Sequence, residues 1–434
     1  MFLKKPKILV LTVSSWNKKV GANTWEALLQ EYGSENIANI CIRDEIPEST
    51  VCSRYFCISE NKILKSIFNR KVKTGHEVFP LQNDTSNNDD LVEHNLRYQK
   101  YRNKRKYLLL MLRELIWKIG KWKTKELETF LMEFQPDIIL YSLEGYIHFS
   151  RIVEYAIVQT GARAIGYIWD DNFTYKQSSA VGYKVYRFFQ RKSLKRLAKK
   201  TQAFFAITPK TKREADMFFG INCEVLSKPL NAIPVVSPKR SKPINILYTG
   251  NLSIGRDRTL QKVIHSAAKI QGIEKLVQIS VYTQTQFKEN ELACLNCRYC
   301  HVYSAITQEE VLKKQKEADV LLFLEDVNGK NAKTARLSFS TKLTDYLSSG
   351  KCIFAIGNED LAPIEYLREN EAALVACNED EIEAQLRKIV SNEDVLQKYA
   401  RNAINCGLKN HHPDIIIKTF YNVLEQVVRN KKNS

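Results

Sequence analysis

Short unbroken runs of apolar residues recur along the chain, and between them apolar positions return every three or four residues. An unbroken run is the pattern of a strand buried on both faces, and the wider spacing is that of an amphipathic helix. The first run spans Lys7 to Val13. Others lie at Pro136 to Ser142, Ala162 to Trp169, Ala203 to Thr208 and, briefly, Cys223 to Leu226. Helical spacing fills Thr24 to Tyr32, Phe149 to Thr160, Tyr183 to Lys200 and Lys210 to Phe219. The alternation restarts at Ile244 to Thr249 and continues with strands at Val277 to Tyr282, Cys300 to Tyr303, Ala318 to Leu324, Cys352 to Ile356 and Ala373 to Val375. Strand alternating with helix predicts parallel sheets, an α/β fold.

Between the two series the composition changes. Pro229, Pro234, Pro238 and Pro243 fall close together, with Lys239 to Lys242 strongly basic. This reads as an inter-domain linker. Two domains follow, 1–235 and 243–410, with a last helix in 414–434. Residues 43 to 100 are polar and carry no clear period. They include Asn83 to Asp90, an expected exposed loop. Arg97 to Phe134 is helical in pattern, with a break near Gly120.

The length of 434 residues suits two or three domains. The net charge of +18 points to an anionic partner: nucleic acid, an anionic membrane surface or phosphorylated small molecules. The charge is spread along the chain and no zinc-finger, RRM-like or helix-turn-helix pattern accompanies it, so nucleic acid is not expected. Tyr183 to Lys200 combines a dense basic set with aromatics, which fits either an anionic membrane surface or a domain helix with solvated cations. Ten scattered cysteines without a secretion signal fit free thiols in a reducing cytoplasm. No apolar run approaches the ~20 residues of a membrane span.

Four places carry candidate chemistry. Ser340 to Gly350 predicts a short helix with Ser340 or Thr341 as N-cap, an apolar face of Leu343, Tyr346 and Leu347, and a left-handed stop at Gly350. Lys342 and Asp345 share one side of it, either as a solvated pair or as a cation and carboxylate for a nucleotide's diphosphate and ribose. Gly250 to Arg258 is a glycine-containing loop with two arginines at a helix start, suited to a diphosphate or to a plain solvated turn. Asp170 and Asp171 end a strand, where they can position an acceptor hydroxyl or cap a turn. Cys294, Cys297, Cys300 and His301 have metal-like spacing, but no second ligand pair follows, so no metal is expected.

The segment Ser-Thr-Lys-Leu-x-Asp-Tyr-Leu-x-x-Gly-Lys from Ser340 resembles the donor site of the retaining GT-B glycosyltransferases, a group that includes many polysaccharide-assembly enzymes. Tyr-Thr-Gly-Asn-Leu from Tyr248, with arginine following, resembles the opening of that family's donor domain. The resemblance implies two Rossmann-like domains facing a cleft, with the terminal helix crossing back to complete the first. It implies Asp345 on the donor ribose and Arg256, with Arg258 in reserve, on the diphosphate, beside Gly250, Asn251, Ser340, Thr341 and Lys342. Gly21, in the loop after the first strand, is the counterpart at the cleft. One feature departs from the pattern: where many members carry a glutamate eight residues before the second carboxylate, this chain has Leu337.

The implied activity is a retaining hexosyl- or glycosyltransferase taking a nucleotide sugar as substrate and needing no cofactor. Its acceptor would be a lipid-linked saccharide, as in capsule or other polysaccharide biosynthesis, handled in the cytoplasm or peripherally at the inner membrane face. Two alternatives stay open: a non-catalytic binder of nucleotide or lipid phosphate, which Leu337 favours, and a nucleotide-sugar epimerase of the same fold.

Overall fold

The computed structural model describes residues 5–16, 24–80, 107–230 and 241–432. Gly21, the Asn83 to Asp90 loop and linker residues Pro234 and Pro238 lie outside them. The chain divides into two compact units. The first comprises the residues up to Ile207, Thr211–Leu226 and those from Ile417 onward; the second comprises Thr208–Lys210 and Ser227–Ile416.

The first unit is built on an eight-stranded sheet. In chain order its strands are β1 (Ile8–Thr12), β2 (Ile37–Cys41), β3 (Arg54–Ile58), β4 (Gly75–Val78), β5 (Ile138–Ser142), β6 (Arg163–Ile168), β7 (Ala203–Ala206) and β8 (Glu224–Val225). Across the sheet they run β4-β3-β2-β1-β5-β6-β7-β8. All neighbours are parallel except β4, which is antiparallel to β3. The residues of β1, β2 and β5 are buried throughout, as unbroken apolar runs require. The helix Pro413–Lys432 contributes its later part to this unit. Phe420 packs at 6.1 Å from Trp25 and 5.9 Å from Phe205, and Tyr421 stacks on Tyr32.

The second unit has six parallel strands: β9 (Ile244–Thr249), β10 (Val277–Thr283), β11 (Cys300–Ser304), β12 (Val320–Leu324), β13 (Cys352–Ile356) and β14 (Leu374–Ala376). Their order is β11-β10-β9-β12-β13-β14. This is the doubly wound order in which the chain reverses direction across the sheet between its first and fourth strands. One device recurs in both units. Asp137, just before β5, accepts from the Lys7 N–H, and Asp319, just before β12, accepts from the Ser241 and Asn245 N–H groups. Each carboxylate thus ties the start of the unit's first strand to its central neighbour.

Several elements differ from the sequence reading. The unreadable stretch contains β3, the helix Glu60–Phe68 capped by Ser59, and β4. β4 is a half-exposed edge strand, so it leaves no apolar run. A short helix, Lys330–Thr334, follows β12 in a stretch to which the sequence assigns no element. Gly120 does separate two helices, Tyr107–Ile119 and Lys125–Phe134. Among the described residues no helix is long and apolar enough to cross a membrane, and no group of three or more His, Cys, Asp or Glu residues is placed to hold a metal ion.

Candidate donor site

In an open parallel sheet, ligands bind beyond the carboxyl ends of the strands where the strand order reverses. In the second unit that point lies between β9 and β12. The loop from Gly250 leaves β9 there, and Glu325 and Asp326 leave β12.

Gly250 has φ of 135°, and a Cβ built on it would lie 1.6 Å from the Lys342 Nζ. Only a glycine therefore leaves room for the Lys342 ammonium, which sits 5.2 Å above the ring of Tyr248. Burial, with Arg256 nearby, pushes Lys342 down to about 8, against the opposing pull of Glu325 and Asp345. This cation is partly buried beside Arg256, so a further anion brought next to it would favour its charged form.

Arg256 opens the helix Arg256–Ala268 directly after Gly255, a left-handed N-cap at φ of 85°. Its guanidinium grips Glu325 in a fork, Nη2 to Oε1 at 2.8 Å and Nε to Oε2 at 3.2 Å, and also donates to the Leu324 carbonyl. Arg258, more exposed, approaches Asp326 at 3.4 Å. The two arginines are thus each matched to a carboxylate at the end of β12, a pairing that the sequence pattern did not suggest.

Asp345 lies in the helix Lys342–Leu347, whose apolar face of Leu343, Tyr346 and Leu347 is fully buried. Its carboxylate stands 3.6 Å from the Nζ of Lys228, a buried residue that the sequence pattern did not single out. Burial raises the Asp345 pKa, and Lys228 and Lys342 oppose that rise. The Lys228 backbone is held from beneath. Its carbonyl meets the His411 Nδ1 at 3.1 Å, and the His411 Nε2 meets the Tyr366 hydroxyl at 2.8 Å. Burial pushes His411 down to about 4, so its ring is neutral near pH 7. Phe339, next to Ser340, stacks on His411 and meets Tyr366 edge-on.

The remaining donor-side residues have local tasks. Asn251 Oδ1 accepts from the Ser253 N–H and the Thr285 hydroxyl, and the Asn251 carbonyl accepts from Tyr248, so this residue shapes the loop. Thr341 occupies the N-cap position but with helical backbone and no side-chain capping bond, contrary to the expected cap. Its carbonyl accepts instead from the Thr344 hydroxyl. The Ser340 carbonyl accepts from the Leu343 N–H. Gly350 adopts the expected left-handed conformation, φ of 71°. Leu337 is completely buried.

In the first unit the strand order reverses between β1 and β5. Asp171 is fully buried, and both of its oxygens bind Thr174, at 3.0 Å to the N–H and 2.5 Å to the hydroxyl. That is the geometry of a turn-holding aspartate. Asp170 accepts from the Asp171 N–H and is only partly buried. The loop after β5 adds a carboxylate to which the sequence pattern gave no role, Glu144. Burial, with Asp170 adding to it and Arg43 opposing, pushes Glu144 up to about 8. The helix that follows, Ile147–Thr160, is capped internally: Glu114 accepts from the Ile147 and His148 N–H groups and from the His148 ring. Its start is therefore occupied by a carboxylate of the protein.

The Glu144 shift has a measurable consequence. A carboxyl whose pKa is higher folded than unfolded weakens the native state as pH rises from about 4.5 and costs most above about 8. Glu144→Gln is expected to raise the melting temperature at about pH 9, by roughly 2–4 °C for each kcal/mol relieved, and to leave it unchanged near pH 4.5. Melting curves of the two proteins at both pH values test this, and an equal shift at both would refute it.

Solved structures with the same architecture span nearly the whole chain. A trehalose 6-phosphate synthase from Burkholderia multivorans superimposes with a TM-score of 0.61 at 8% identity, covering 99% of this chain and 98% of its own. A sucrose-phosphate synthase from Thermosynechococcus elongatus gives 0.59 at 9% identity, covering 98% and 100%. HepE of Anabaena, solved in complex with UDP-glucose, gives 0.56 at 9% identity, covering 97% and 100%. The chain has the GT-B fold. No protein-family model and no curated protein matches the sequence. Within the GT-B fold, the second unit carries the doubly wound order around which Lys342, Arg256 and Asp345 are gathered.

Proposed function

We propose that the protein is a retaining glycosyltransferase that moves a sugar from a nucleotide-sugar donor to a lipid-linked saccharide in polysaccharide synthesis. The observation that carries this reading is the convergence of Lys342, Gly250 and Arg256, with Asp345 one helical turn on from Lys342, where the strand order of the second unit reverses. In this reading Lys342 and the Arg256–Glu325 pair face the departing diphosphate, and Asp345, steadied by Lys228, accepts from the ribose hydroxyls. Preorganised cations aimed where charge develops lower the barrier to leaving-group departure. Attack on the leaving-group face then retains the anomeric configuration without a strong base. The first unit takes the acceptor, with Asp170 and Glu144 beyond the ends of its central strands. HepE is solved with UDP-glucose, which makes UDP the first nucleotide to test.

The test is thermal stabilisation by UDP, GDP, CMP and ADP, with native protein beside Asp345→Ala. A ligand that binds only the folded state raises the midpoint. One nucleotide is expected to stabilise the native protein by several degrees and the variant far less. If none stabilises the native protein at millimolar concentration, the donor reading fails. Transfer of labelled sugar, rather than its release or epimerisation, then separates the transferase from the non-catalytic and epimerase readings.

A further inference from the structure

Among the described residues, two helices of the first unit carry an unusual amount of exposed apolar surface. On Tyr107–Ile119 the stripe Leu108, Leu112, Leu115 and Ile119 is exposed, Leu108 by 68%. These positions fall on one face by helical spacing. On Val181–Ala198 the exposed apolar residues are Val181, Val185, Phe188 and Phe189, with Val181 at 77% and Phe188 at 57%. The helices pack at their starts. Tyr107 meets Tyr183 at 5.7 Å, and a Cβ on Gly182 would stand 3.2 Å from the Tyr107 side chain. Tyr175, Val185, Phe188 and Phe189 line a shallow groove with Lys184.

The exposed charge that these two helices themselves carry has one sign, while Glu60 and Glu154 on neighbouring helices pair with Arg113 and Arg196. Lys118, Lys184, Lys192 and Lys195 are exposed on the same two helices. Val181–Ala198 contains no acidic residue, and the only one of Tyr107–Ile119, Glu114, is buried on the Ile147 and His148 N–H groups. Scattered apolar residues are ordinary on a surface, but an adjoining set of this size marks an interaction site. A second copy of the chain, meeting this face symmetrically, would set the lysines of these helices against one another. A bilayer with anionic headgroups accepts both features at once: the apolar side chains enter the acyl boundary while lysines stay among the headgroups. Tyr175, exposed and lining the groove, adds an amphipathic ring of the kind that sits at such a boundary.

The geometry points to this face, formed by Tyr107–Ile119 and the first half of Val181–Ala198, as the docking surface for an anionic lipid bilayer. It stands on its own observations and does not require that the chain transfer sugars. The test is co-flotation of the full chain with vesicles of phosphatidylcholine alone and of phosphatidylcholine with about one third phosphatidylglycerol. The native protein is expected to float with the anionic vesicles and not the neutral ones. The variant Phe188→Ser/Phe189→Ser, and separately Lys184→Glu/Lys192→Glu, are expected to bind about tenfold less, while melting as the native protein does by circular dichroism. Binding by the variants equal to native would overturn the proposal, as would no binding to anionic vesicles. So would a native dimer, seen in sedimentation, that the Phe188 and Phe189 substitutions dissolve without any vesicle binding. The assay uses no donor, so its failure is distinct from a failure of the transferase reading.

Discussion

Affinity for the donor nucleotide is expected to fall as pH rises through 8 in the native protein and to stay flat in Lys342→Met. In the free protein, burial and Arg256 hold Lys342 down to about 8. A bound diphosphate favours the ammonium and raises that pKa in the complex. Below pH 8 the group is charged in both states, so binding moves no proton. Above it, the complex holds a proton that the free protein has lost. The affinity then declines toward about tenfold per pH unit until the pKa of the complex is reached. At neutral pH the substitution itself should cost about 10- to 100-fold, the worth of one charge-assisted hydrogen bond. Calorimetric titration with UDP at several pH values, in buffers of differing ionisation enthalpy, measures both the decline and the proton uptake. A native profile as flat as that of the variant would remove Lys342 from the diphosphate. Gly250→Ala should behave like the Lys342 substitution, since its methyl would occupy the ammonium's place.

Replacing Arg256 alone is expected to destabilise the protein by about 3 kcal/mol or more, and replacing Glu325 with it to recover most of that loss. The pair is largely buried, with side chains 20% and 9% exposed, and its fork geometry satisfies both partners. Arg256→Met strands the Glu325 carboxylate at the carboxyl end of β12 without its counter-ion. Arg256→Met/Glu325→Leu removes both charges and leaves packed apolar groups. Urea denaturation of the native protein, both single variants and the double variant closes the cycle. A cost below about 1 kcal/mol for Arg256→Met would mean that the pair is a surface contact. Arg256 would then be free to leave Glu325 for a phosphate. A large cost means that Arg256 stays with Glu325, so that any contact with a diphosphate has to be made from within that pair.

By itself the sequence determined the elements that bury a whole face. The runs of β1, β5, β12 and β13 are unbroken because both sides of each strand are covered, and this pattern is visible without knowing the neighbours. The same holds for Leu343, Tyr346 and Leu347, whose spacing reports a local helix, and for Gly350, whose position reports a local stop. Local pattern ran out where a residue's surroundings come from distant segments. β4 is half exposed and pairs antiparallel at an edge, so it has no signature of its own. Thr341 has the side chain of a cap, but the turn entering its helix already holds it in helical conformation. Only the tertiary structure set Lys228 against Asp345, Arg256 against Glu325, and Glu144 near Asp170. Strand order brings those loops together, and strand order is decided by how helices pack on the sheets rather than by any spacing along the chain. It also decided that Gly250 makes room for a lysine rather than merely turning the backbone, because the ammonium that fills the space arrives from Lys342, on a helix beyond the next central strand.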